Sequence, residues 1–297
     1  MKKTKIIVPA LGMLLLSTAA SVTGTVAWFA ANASVSVTNM QVKAKAEGGV
    51  AIAAYSYTAT SVSDSASHGY NDTLTNAVFT APLSTAYTDT ATYSQASAAE
   101  LLPTSTADTT AWYHANSNSE NNYAASGVYQ TLAAANLKAD GLFVSGDGTA
   151  AGTQYKIDAQ YFLYQKFSVK ATGAGTLSLW VSAITVNGEQ NSAALNDSLR
   201  IAVKHGTESV AFFAPMYDSS DDTTLYFYNG TARTAGSPVK GLAPNTQIAN
   251  NSVTTAATDI QIWVYYEGED ENCKTINASD VDTLTISMTF SSVAPQA

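Results

Sequence analysis

The sequence predicts an all-β protein: a jelly-roll-like antiparallel β-sandwich carrying one long irregular insertion. Three observations carry that prediction. Apolar residues alternate with polar ones at a period of two through the second half of the chain. No segment sustains a 3.6-residue period over three turns. Charged residues make up only 12% of the chain while Tyr outnumbers Phe by 16 to 9, a balance that suits pleated, half-exposed faces of an extracellular β-protein better than a cytosolic enzyme.

The first element in chain order is a predicted export signal over residues 1–33. Lys2, Lys3 and Lys5 precede an apolar run from Ile6 to Ala20, and small residues follow it, the layout of a cleaved secretory leader. The stretch from Ile6 to Ala31 has the length of a membrane span, but Pro9, Gly12, Gly24 and the interspersed Ser and Thr make it a poor one. Two cleavage points fit, after Ala27 and after Ala33, the second with the small-x-small pattern Ala31-Asn32-Ala33. Either cut removes three lysines and no acid, so the formal charge of −9 moves three units further negative. An acidic chain repels phosphate backbones and anionic lipid surfaces, so no nucleic-acid partner and no membrane association after processing are expected.

Residues 34–297 are expected to form a single sandwich domain. Val35 and Val37 share one phase of the domain's first segment, and Met40, Val42, Ala44 and Ala46 share the other, so a bulge or a break between two short strands is predicted near Thr38-Asn39. Gly48-Gly49 turns the chain into a second strand over 50–57. From 58 to 127 the pattern dissolves into Ser, Thr and Asn, with a short strand at 77–80 and scattered aromatics. This is the insertion, and Trp112-Tyr113 is expected to pack back onto the sandwich or to line a contact surface. Residues 130–139 make the best short helix, stopped by Asp140-Gly141. Strands are then predicted over 161–170, 177–183, 199–203, 209–214, 224–228, 260–266 and 283–290, separated by Gly, Pro, Asn and Asp turns. In the last of these Leu284, Ile286, Met288 and Phe290 alternate with Thr283, Thr285, Ser287 and Thr289.

Few residues offer chemistry. His68, His114 and His205 are the only histidines, they form no HExxH pair, and each reads as a surface residue. No G-x-S-x-G elbow is present. Gly146-Asp147-Gly148 and Gly173-Ala174-Gly175 lack the third glycine of a dinucleotide fingerprint and read as hairpin turns. Asp218, Asp221 and Asp222, and separately Glu267, Glu269, Asp270 and Glu271, form acidic runs without EF-hand spacing and read as solvated loop acids. Cys273 is the only cysteine, so no intramolecular disulfide forms, and a buried, inert thiol is expected. No catalytic, metal-binding or cofactor-binding residue is predicted.

The exit of the leader, Gly24-Thr25-Val26-Ala27-Trp28-Phe29, followed by Asn32 and a Val-rich strand, resembles that of the TasA/camelysin-like exported proteins of Gram-positive bacteria. These are substrates of a dedicated signal peptidase and subunits of biofilm-matrix fibres. A second passage, Trp263-x-x-x-Glu267-Gly268-x-Asp270-x-x-Cys273, is similar to one in surface proteins of Firmicutes that bear the same kind of leader. The resemblance implies a secreted, non-enzymatic jelly-roll subunit of the cell surface or biofilm matrix, with a signal peptidase and copies of itself as partners. It further implies that the freed first strand completes the sheet of the next subunit, with Val35 and Val37 or Met40 and Val42 as its anchoring side chains. The alternative function is an adhesin or glycan-binding module facing a cell-wall surface. There Tyr70, Trp112, Tyr113 and Tyr123 would stack on sugar rings. A camelysin-type endopeptidase is the third reading, and no metal-ligand motif matches it.

Overall fold

The computed structural model describes residues 37–58, 78–80, 82–83, 85–95, 101–115, 129–133, 137, 139, 141–145, 156–187, 197–217, 224–270, 273 and 281–294. The predicted leader with Ala27 and Ala33 lies outside them. So do Val35, His68, Tyr70, Tyr123, Gly146 to Gly148, Asp218, Asp221, Asp222, Glu271 and most of 58–127.

The first strands are β1 (Val37–Glu47), β2 (Val50–Ala54), β3 (Ser56–Thr58), β4 (Val78–Thr80) and β5 (Thr90–Gln95). There follow β6 (Tyr113–Ala115), β7 (Tyr129–Thr131), β8 (Leu142–Ser145), β9 (Lys156–Gln160) and β10 (Leu163–Ala171). The second half holds β11 (Leu177–Asn187), β12 (Leu199–His205), β13 (Ala211–Ala214), β14 (Leu225–Tyr228) and β15 (Arg233–Gly236). The last are β16 (Val239–Lys240), β17 (Thr246–Val253), β18 (Thr258–Tyr266) and β19 (Val281–Ser291). The protein is all-β, as its alternating pattern predicts.

Two open sheets form the body. Sheet one runs β17-β11-β19-β1-β5 and sheet two β16-β13-β12-β18-β10-β2. Their inward positions meet in one core: Val42, Leu179, Ile184, Ile286 and Phe290 from sheet one, and Ile52, Leu163, Phe167, Ile201, Phe213 and Ile262 from sheet two. Alternation fixes this, because a period of two sends every second side chain to the same face.

Sequence and structure differ at several places in the fold. The sheets are mixed, not antiparallel throughout: β1 pairs parallel to β19 and antiparallel to β5, and β13 pairs parallel to β16. Strands from opposite ends of the chain need no hairpin between them, so nothing enforces the antiparallel sense. Neither a bulge nor a break occurs at Thr38-Asn39, since β1 is one strand in which Val37 faces Val281, Asn39 faces Thr283 and Met40 faces Leu284 at one constant offset. Residues 129–131 are a strand paired with 113–115, not the start of a helix, because a helix of so few residues is marginal beside a ladder with a partner. Gly173-Ala174-Gly175 joins β10 of sheet two to β11 of sheet one and closes no hairpin. His205 is enclosed, its Nε2 2.8 Å from Thr258 Oγ1, and burial lowers its pKa.

Candidate functional site

β18 is buried on both faces over its last five residues. Ile262, Val264 and Tyr266 point into the core, while Trp263 and Tyr265 point outward into a second apolar layer. Segment 101–115 supplies the lid of that layer. The Trp112 indole stacks on Phe162 at 4.3 Å and meets Tyr265 edge-on at 5.1 Å, and its Nε1–H donates to Thr109 O at 3.1 Å. Trp112 is 3% exposed, so it packs back onto the sandwich and does not offer its face to a sugar. Tyr113 sits half-buried, edge-on to Tyr228 at 5.1 Å, and His114 lies half-buried with its ring 5.2 Å from Tyr161.

At the end of β18 the chain turns through Glu267-Gly268-Glu269-Asp270, with Asp270 N–H donating to Glu267 O at 3.1 Å. These acids are not solvated: Glu267, Glu269 and Asp270 are only 1%, 2% and 6% exposed. Burial of charge requires compensation, and two arginines supply it. Arg200 Nη2 meets Asp270 Oδ2 at 2.5 Å, while its Nη1 donates to Asp197 O and, at 3.1 Å, to Leu199 O. Arg233 Nε lies 3.1 Å from Glu269 Oε2, Nη2 donates to Glu269 O at 3.2 Å, and the guanidinium covers the Tyr226 ring at 3.7 Å.

Glu267 is the third carboxyl beside two arginines. It accepts Glu269 N–H at 3.1 Å and bonds the Ser105 hydroxyl, whose oxygen also accepts Tyr228 N–H at 2.7 Å. Burial raises its pKa to about 8, against the opposing pull of Ser105 and Arg200. The folded chain therefore holds this proton more tightly than the unfolded chain does. Its contribution to stability is complete below the ordinary value of 4.5 and is lost as pH rises to about 8. Glu267→Gln keeps the neutral shape, and is expected to flatten the fall of melting temperature across that window. An unchanged slope in thermal melts would assign the dependence to another group.

Backbone bonds complete the cluster. Thr104 N–H donates to Tyr266 O at 3.0 Å, Gly268 N–H to Thr104 O at 3.0 Å, and Glu267 N–H to Ser198 O at 2.8 Å. Cys273 is 2% exposed, and burial pushes its thiol pKa up although the thiol bonds Ser198. The passage from Trp263 to Cys273 thus ties three pieces together: strand β12 through Arg200, segment 101–115 through Thr104 and Ser105, and the β14–β15 hairpin through Arg233 and Tyr228. A cleft of about 370 Å³ opens beside it, with Arg200 and Glu267 among walls that include Val210, Phe212, Tyr226, Phe227 and Pro238. The polar groups of both residues are already engaged within the protein. Among the described residues no group of His, Cys, Asp and Glu is arranged to hold a metal ion.

Of the residues predicted for assembly, Val42 is fully enclosed in the core. Val37 and Met40 lie on β1, opposite Val281 and Leu284. Sequence reasoning missed Arg200, Arg233, Thr104 and Ser105. One signal pointed to them: β18 places Trp263 and Tyr265 on a face that a two-layer sandwich leaves to solvent. Compared with protein-family models, curated proteins and solved structures, the chain finds no match.

Proposed function

We propose that the chain is a secreted, non-enzymatic structural subunit of a bacterial cell surface or biofilm matrix, assembling with copies of itself through β1. The observation that carries this reading is the seat of β1. It lies inside sheet one, between β19 and β5, and its inward Val42, Ala44 and Ala46 fill the core opposite Ile286, Met288 and Phe290. Only the Gly48-Gly49 turn joins it to β2, with φ of 72° and 89°, a conformation that suits glycine.

A first strand held this way can leave its sheet without threading a loop, and an identical strand from another copy restores every contact. Exchange of that kind has little intrinsic cost, and main-chain ladder bonds with alternate side chains give it affinity and register. Cleavage after Ala33 leaves only Ser34, Val35 and Ser36 ahead of β1. The resemblance of the leader exit to the TasA/camelysin-like exports supports the same reading. The adhesin reading loses support, because its central aromatic, Trp112, is enclosed.

Terminal sequencing of protein recovered from culture, with electron microscopy of the same sample, tests this. The expected result is a terminus at Trp28 or Ser34 and fibres in the processed form alone. An intact Met1 terminus held in membranes would overturn the reading.

A further inference from the structure

The segment over residues 87–95 runs along both β1 and β2, and so straddles the Gly48-Gly49 turn. On the sheet-two side the Tyr87 hydroxyl lies 2.6 Å from Ser168 Oγ, and Lys170 Nζ sits 4.2 Å over the Tyr87 ring. Ile52 N–H donates to Thr88 O at 2.8 Å, and Thr88 N–H donates to Ile52 O at 3.0 Å. On the sheet-one side Ala46 N–H donates to Asp89 O at 2.7 Å. From there 90–95 pair antiparallel with 40–45 in unbroken register, and Ala91 packs against the core. One short stretch of chain is therefore fastened to both sheets across the joint that β1 must open to leave.

We propose that residues 87–95 form the outer wall of the slot that receives β1 of a neighbouring copy, with β19 as the inner wall, and that this strap must part from its own β1 before exchange. The inference rests on the proposed function. A second copy of this chain is the partner for three reasons. The pairing of 40–45 with 90–95 runs without a register shift, so any strand of the same sequence refits it. The strap strand TATYSQ carries no charge and no proline, so it bars no strand from its edge. In a chain with a formal charge of −9, the strand β1 brings Lys45 next to Asp89 of the strap, with Glu47 beside it at 2.6 Å. The far margin of sheet one is built differently: β17 has two register shifts against β11, and Asn251 stands at φ 49°, features that blunt an edge.

The test uses the processed protein and variants outside β19. Thr88→Pro removes the N–H that bonds Ile52, and Tyr87→Phe removes the hydroxyl at Ser168. Hydrogen exchange of the soluble protein is expected to speed up roughly five- to tenfold at 40–45 in Thr88→Pro, about the effect of one lost hydrogen bond. A smaller rise is expected in Tyr87→Phe, with β10, β12 and β18 unchanged in both. Assembly is expected to start several-fold sooner. Lys43 and Thr92 face each other across β1 and β5, and both are exposed, so oxidised K43C/T92C is expected to stay soluble until reductant is added. Wild-type exchange at 40–45 in Thr88→Pro overturns the strap while leaving the proposed function standing, whereas assembly of oxidised K43C/T92C at the wild-type rate overturns exchange of β1 and the strap with it. Faster exchange in Thr88→Pro beside a wild-type chain that never assembles instead overturns the proposed function, and the slot with it.

Discussion

Arg200→Ala is expected to lower the stability of the protein by about 3–5 kcal/mol, the usual cost of leaving a buried charge without its partner. In a chain of this size that is a fall in melting temperature on the order of 10 °C. The reason lies in what the side chain leaves behind. Asp270, 6% exposed, loses its Arg200 ion partner at 2.5 Å, and the carbonyls of Asp197 and Leu199 lose a donor. A carboxylate so enclosed must either take up a proton or draw water into the turn, and both loosen the hold on segment 101–115. The double variant R200M/D270L, which removes both charges and keeps the volume apolar, is expected to recover most of the loss. A calorimetric melt of Arg200→Ala within about 2 °C of wild type would show that the turn after β18 is not a clasp.

That clasp marks the limit of what alternation reveals. The strands of both sheets follow from residues such as Leu284, Ile286, Met288 and Phe290, because period two specifies a face whatever the partner is. The sense of pairing is not specified: Val42 and Ala44 face inward equally well in a parallel or an antiparallel ladder. Burial of polar groups depends on partners remote in sequence. Glu267, Glu269 and Asp270 read as a solvated run because the charge that encloses them comes from Arg200, separated by 70 positions from Asp270, and from Arg233. Arg200 itself sits between Leu199 and Ile201 at an outward position of β12, which reads as solvent-facing until segment 101–115 is laid over it. The segment from 58 to 127 has no periodicity to read, yet it supplies Trp112 to the outer layer and β5 to sheet one. At residues 129–131 local helix preference yields to a ladder with β6.

The second large effect is all-or-none and concerns where β1 resides. Lys43 and Ser287 are register partners on the solvent side of the β1–β19 pair, so K43C/S287C places two thiols side by side without touching the core. Cys273 stays out of the reaction, since its thiol is buried and held protonated. In a soluble, unassembled chain the bond closes within one molecule, and in an exchanged assembly the same register joins one copy to the next. The most direct test is therefore a denaturing, non-reducing gel of processed K43C/S287C fibres after oxidation or a short thiol–thiol cross-linker. Exchange of β1 predicts a ladder of covalent multimers that collapses to monomer on reduction or, with the cross-linker, in the single-cysteine controls. Fibres that dissolve to internally cross-linked monomers would contradict it, because each β1 would then have remained in its own sheet.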